Sequence, residues 1–113
     1  MRHCLMLDLK DDAALIAEYE AQHRTIWPEI AAHQRLHGVL NMEIYRLGTR
    51  LCMLMETDDA VFDAARMAQA AAADSCVQAW EQLMWRYQVP TPWTPAGTKW
   101  VAAECIFELR LQL

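Results

Sequence analysis

A chain of 113 residues with a hydrophobic share of 55% has apolar material for one compact core and too little for two. Its formal net charge of -5, with Lys and Arg scattered rather than striped, works against a phosphate backbone, and no apolar run approaches the roughly 20 residues that cross a bilayer. No basic stretch followed by an apolar one opens the chain, so the expectation is a single cytoplasmic domain over 1–113, with no nucleic acid and no membrane as partners.

Residues 2–9 alternate, with Leu5, Leu7 and Leu9 on one side and Cys4, Met6 and Asp8 on the other, which predicts a strand. Asp11 and Asp12 offer an N-cap, and Leu15, Tyr19 and His23 then fall at steps of four, stacked on one helical face as far as about Arg24. Pro28 has no backbone N–H, so it either kinks this helix or begins a second segment from Glu29 to about Leu36, closed by Gly38. From Val39 to Arg46 the period returns to two. A turn at Leu47-Gly48-Thr49 leads into Leu51–Met55, a continuous apolar run expected of a strand covered on both faces, and the two runs should pair as a hairpin.

Asp58 to Ala73 is rich in alanine and predicts a helix, which Asp74 and Ser75 interrupt. Ser75 with Gln78 has the form of a capping box, so a fresh helix should start there and carry Trp80, Met84 and Tyr87 inward. Gln88 to Lys99 holds Pro90, Pro92, Pro95 and Gly97 and reads as an ordered or wrapping loop, and Trp100 to Leu111 as a final strand. The order is β-α-β-β-α-β, an α+β ferredoxin-like arrangement with helices on one face of an antiparallel sheet. The other face needs cover. A second copy would supply it by closing a dimeric α/β barrel, so a homodimer is expected.

Cys4, Cys52, Cys76 and Cys105 never approach a C-x-x-C spacing, and at least three sit in apolar runs, which predicts buried, reduced thiols. His33 and His37 lie at a metal-ligand spacing on one helical face, but no third ligand completes a site. A solvated helix surface and no metal are expected there.

The most informative segment is Glu18-Tyr19-Glu20-Ala21-Gln22-His23-Arg24-Thr25-Ile26-Trp27-Pro28-Glu29. It resembles the signature of the L-rhamnose mutarotase family, in which a Tyr and a His four apart precede an Ile-Trp-Pro-Glu run. His37-Gly38, Asn41, Ile44-Tyr45 and Gln78-x-Trp80 also fit the family's pattern. The resemblance covers nearly the whole chain and weakens in the proline-rich loop and tail. It implies an isomerase that needs no cofactor and interconverts the α and β anomers of a 6-deoxyhexose, L-rhamnose or L-fucose.

Mutarotation removes a proton from the anomeric hydroxyl and delivers one to the ring oxygen, work for which a histidine titrating near neutrality is suited. By the resemblance, His23 is the proton donor and Tyr19 and Trp80 contact the sugar; Trp27 reads as a packing residue beside Pro28. Without it, His23 reads as a satisfied helix histidine and Tyr19 as an amphipathic core residue. Two positions depart from the family: a sugar-contacting tyrosine falls at Met42, and the second tryptophan of a Trp-Trp pair falls at Glu81. Both stay in the predicted substrate site, and both bear on which sugar is bound. The alternatives are a cofactor-independent monooxygenase or haem-degrading protein of the dimeric α/β barrel class, and a non-catalytic dimerisation module.

Overall fold

The alternating first residues form β1 (Arg2–Leu9), which in the computed structural model of residues 1–113 is the central strand of an antiparallel sheet. Asp12 then caps α1 (Ala13–Arg24), its carboxylate accepting from the backbone N–H groups of Ala14 and Leu15. Pro28 does not kink this helix. It opens a separate one, α2 (Pro28–Leu36), at a position where the missing N–H costs nothing. Gly38 follows with φ +88, and a Cβ there would meet Phe62 N and Val61 Cβ at 3.0 Å, so both the backbone angle and the close approach require glycine.

Strands β2 (Val39–Leu47) and β3 (Arg50–Thr57) pair as the expected hairpin, closed through Gly48 and Thr49, with a bulge between Val39 and Asn41. β1 pairs with β3 along its whole length, from Arg2 opposite Glu56 to Asp8 opposite Arg50. The pleat places Leu5, Leu7 and Leu9 with Leu51, Met53 and Met55 under the helices, and Cys4, Met6, Cys52 and Leu54 on the far face. The apolar run 51–55 is thus fully buried only at alternate residues. The thiols differ from expectation too: Cys4, Cys52 and Cys76 are half-buried and Cys105 is exposed, all four free.

Helix α3 (Ala64–Ala73) begins six residues later than the alanine content suggested. Asp58 spends its carboxylate on Ala60 N in a tight turn, and Asp63 caps the helix by accepting from Arg66 N. The capping box at Ser75 does not form. Asp74 is the N-cap of α4 (Ser75–Trp85), accepting from Cys76 N and Val77 N, while Gln78 Nε2 reaches back to Ala71 O. An ionised carboxylate at a helix N-terminus accepts more strongly than a hydroxyl, which is why Asp74 prevails over its neighbour. Trp80 and Met84 point inward from α4 as predicted, and Tyr87 is buried just beyond its end.

The chain's last third departs most. Gln88–Val89 is a strand, β4, pairing with Leu9 and Asp8 of β1, and the expected strand over 100–111 contracts to β5 (Val101–Ala102), pairing with Met6 and Leu5 on the same edge. The order is β2-β3-β1, then β4 and β5 end to end along the same edge of β1, the ferredoxin-like sheet with its fourth strand split. Beyond Ala102, β1 has only Cys4, His3 and Arg2 left to offer. The backbone bond from Ala103 N to Cys4 O is the last, and the tail leaves the sheet with Ile106 92% exposed, ending in a 3-10 turn at Leu109–Leu111. No helix is long and apolar enough to cross a membrane.

Candidate active site

Tyr19 and His23 stand one turn apart on α1 and share its inward face. Tyr19 is 3% exposed, and the two rings lie 4.3 Å apart. His23 Nδ1 is 2.9 Å from the backbone oxygen of Tyr19. A carbonyl can only accept, so Nδ1 carries the proton and Nε2 presents a lone pair. Burial pushes the His23 pKa below its ordinary 6.5, against a smaller upward pull from the same carbonyl. Near neutral pH the imidazole is therefore uncharged, with one nitrogen ready to accept a proton.

The Tyr19 phenol is pushed up to about 12, mainly by burial, with a hydrogen bond from Gln88 opposing and the charge of Glu81 adding. Gln88 Nε2 donates to Tyr19 Oη at 3.1 Å, so the Tyr19 proton is free to be donated elsewhere. Trp80, on α4, lies edge-on to His23 at 5.7 Å and to Trp27 at 5.1 Å. Trp27 itself caps α2 and packs, as expected, outside the cavity that the others line.

That cavity, about 870 Å³, lies between the helices and the sheet, and Tyr19, His23, Met42, Trp80 and Glu81 all line it. All five predicted site residues thus come together from α1, β2 and α4. A larger cleft of about 1200 Å³ lies on the opposite sheet face under the tail and contains none of them. Size does not mark the candidate site here; the meeting of the motif residues Tyr19, His23 and Trp80 does.

Among the lining residues that the sequence did not single out are Gln88 and Lys99, the two ends of the proline-rich segment. Gln88 lies in β4, beyond the end of α4, so the helical step that carries Trp80 and Met84 inward does not reach it and no local pattern marked it. Nor did one mark Lys99. Its ammonium pairs with Glu81 Oε2 at 2.8 Å and sits 4.5 Å over the Trp85 ring, so the Glu81 carboxylate has a cation beside it. His33 is half-buried at the cavity's edge rather than on a solvated surface, with its ring 4.8 Å from that of His37. No group of three His, Cys, Asp or Glu side chains converges as a metal ion would require.

Residues 2–109 match the model of a family described as L-rhamnose mutarotase. The chain is 47% identical over 110 residues to an L-fucose mutarotase of Xanthomonas campestris pv. campestris, covering 96% of this chain and 87% of that relative. Among solved structures it superposes on an L-rhamnose mutarotase of Formosa agariphila with TM-score 0.69 at 16% identity, over 96% of this chain and 98% of that one. It also superposes on the tetracenomycin F2 cyclase of Streptomyces glaucescens, a type-II polyketide cyclase, with TM-score 0.60 at 22% identity, over 96% and 95% of the two chains. The two structural likenesses establish the fold. The family match and the 47% relative favour a sugar isomerase over the monooxygenase or haem-degrading alternative.

Proposed function

The chain belongs to the L-rhamnose mutarotase family of sugar-anomer isomerases, and we propose that L-fucose is its sugar and His23 its acid-base group. The observation that carries the proposal is the meeting of Tyr19, His23, Met42, Trp80 and Glu81 on one cavity. His23 Nε2 takes the proton of the anomeric hydroxyl, the bond from the first carbon to the ring oxygen breaks, and the imidazolium returns the proton to that oxygen. The open aldehyde rotates about its first carbon–carbon bond. Reclosure by the reverse steps yields the other anomer, with no net change in protons or electrons. The bond from Nδ1 to the Tyr19 carbonyl holds the ring in the tautomer this needs. Tyr19, neutral throughout, donates its hydroxyl proton to the sugar, and Trp80 offers an apolar ring against the sugar's C–H groups.

The choice of sugar rests on the two departures, both of which line the cavity. Met42, with Ile44 and Met53 nearby, makes an apolar wall suited to the methyl at the sixth carbon. Glu81 with Lys99 forms a paired acceptor and donor suited to adjacent hydroxyls. Support comes also from the 47% identical relative named as an L-fucose mutarotase. Exchange spectroscopy by NMR on L-fucose and L-rhamnose tests this. Faster catalysed exchange of L-fucose is expected; a preference for L-rhamnose overturns the sugar, and no acceleration of either overturns the reaction.

The same reading pairs two copies through the face holding Cys4, Met6, Cys52 and Leu54, whose half-buried side chains no helix covers. Sedimentation at low concentration should show a dimer, and a persistent folded monomer would remove this element. Four free cysteines suit the reducing cytoplasm as the place where the reaction runs.

A further inference from the structure

Of the buried side-chain nitrogen and oxygen atoms, one lacks a hydrogen-bond partner: Gln88 Oε1. Gln88 is 3% exposed, and its backbone is held in register by pairing with Leu9 at the edge of the central strand. The amide is oriented too, because Nε2 donates to Tyr19 Oη and the oxygen must then face away from it. Gln88 lines the same cavity as Tyr19, His23, Trp80 and Glu81. An unpaired buried carbonyl oxygen is costly, and folded proteins keep few of them. A methionine would fill the same space with no oxygen to satisfy.

We propose that Gln88 is a sugar-binding residue whose Oε1 accepts a hydrogen bond from a ring hydroxyl of the 6-deoxyhexose while its Nε2 holds the Tyr19 hydroxyl. This rests on the sugar-isomerase reading of the cavity and adds to it a contact that selects among sugars. One side chain then sets both polarities of the pocket floor. Its oxygen demands a hydroxyl proton from the ligand, and its nitrogen occupies a Tyr19 lone pair so that the phenolic proton turns toward the ligand. A sugar lacking the matching hydroxyl leaves Oε1 buried and unpaired, which is the condition under which a polar pocket rejects an analogue most strongly.

The test is a matrix of anomer-exchange rates, less the uncatalysed background, for L-fucose and its 2-, 3- and 4-deoxy analogues with wild type, Gln88→Met and Gln88→Glu. In wild type, one analogue should exchange about ten- to a hundredfold more slowly than L-fucose, the cost of one unpaired buried acceptor. Gln88→Met should slow L-fucose by a similar factor and lose its discrimination against that analogue, so that the two losses do not multiply. Gln88→Glu keeps an oxygen acceptor and lacks the amide donor, and should retain the discrimination at a reduced rate. The proposal is overturned if Gln88→Met keeps the wild-type rate, or slows L-fucose and every analogue by one common factor, the signature of a residue that acts only through Tyr19 or packing. Should the Met variant melt before assay, equal rates for all four sugars with Gln88→Glu overturn it instead. Absence of any acceleration by wild type defeats the isomerase reading itself, and the proposal with it.

Discussion

The turn of α1 bearing Tyr19 and His23 and the segment from Gln88 to Lys99 line the same cavity, yet they are placed there by forces of different range. In α1 everything needed lies within a dozen residues: the Asp12 cap, the four-residue step that stacks the two side chains, and the carbonyl of Tyr19 that fixes the His23 tautomer. Gln88 is placed by pairing with a strand 79 positions earlier in the chain and by Tyr19, 69 positions earlier, and Lys99 by an ion pair with Glu81. On the proposed reading, the acid-base chemistry, which must keep one geometry, sits on the locally determined element. Gln88 and Lys99, which the proposed reading adds to the sugar contacts, sit where the fold's long-range contacts meet, at the ends of a segment whose three prolines and one glycine satisfy turns.

If that division holds, losses should scale with it. Tyr19→Phe keeps the ring contacts to His23 and Tyr87 but strips the hydroxyl and leaves Gln88 Nε2 without its acceptor. Exchange should fall about ten- to a hundredfold and unfolding free energy by about 1–2 kcal/mol, read by NMR exchange and denaturant melts. Wild-type exchange with a weakened fold would make Tyr19 a packing residue only.

A pH profile probes the same turn more gently. Burial depresses the His23 pKa below 6.5, so protonation blocks Nε2 only below that point. The catalysed rate should fall about tenfold per pH unit there. Above it the rate should be flat to about pH 9, because Tyr19, pushed up to about 12, stays protonated. An inflection above 6.5 would contradict a base held neutral by burial.

The smallest effect is expected from the far end of the second region. Lys99→Met removes the cation beside Glu81, a pair whose carboxylate side chain is 45% exposed and therefore well screened. KM for L-fucose should rise about threefold with kcat nearly unchanged. A collapse of kcat would mean that Lys99 touches the reacting atoms, and the contrast between the two regions would fail.

What could be read from the chain follows the same line. Alternation in 2–9, the Asp12 cap, the restart at Pro28 and the hairpin about Gly48 are each encoded by neighbours, and each appears where its local pattern put it. The caps at Asp63 and Asp74 were misplaced because several acids and a serine compete within a few residues, and only the realised helix axis decides which carboxylate faces the free N–H groups. The final strand was overextended because its apolar residues match a strand that β1 is too short to accept. The site shows the same split. Tyr19, His23 and Trp80 were marked by motif and helical step, Met42 and Glu81 by departure from it. Gln88 and Lys99 depend on where a strand edge and a loop end fall in space.

The central claim is that the imidazole of His23, held by the Tyr19 carbonyl in a cavity between helices and sheet, moves the proton that opens and closes the sugar ring. The direct measurement is NMR exchange between the anomers of L-fucose with wild type, His23→Ala and, as a control outside the cavity, His37→Ala, all checked for the same melting behaviour. Wild type and the His37 variant should exchange alike while the His23 variant falls by about two to four orders of magnitude toward the uncatalysed rate. A folded His23→Ala protein that exchanges L-fucose at the wild-type rate would contradict it.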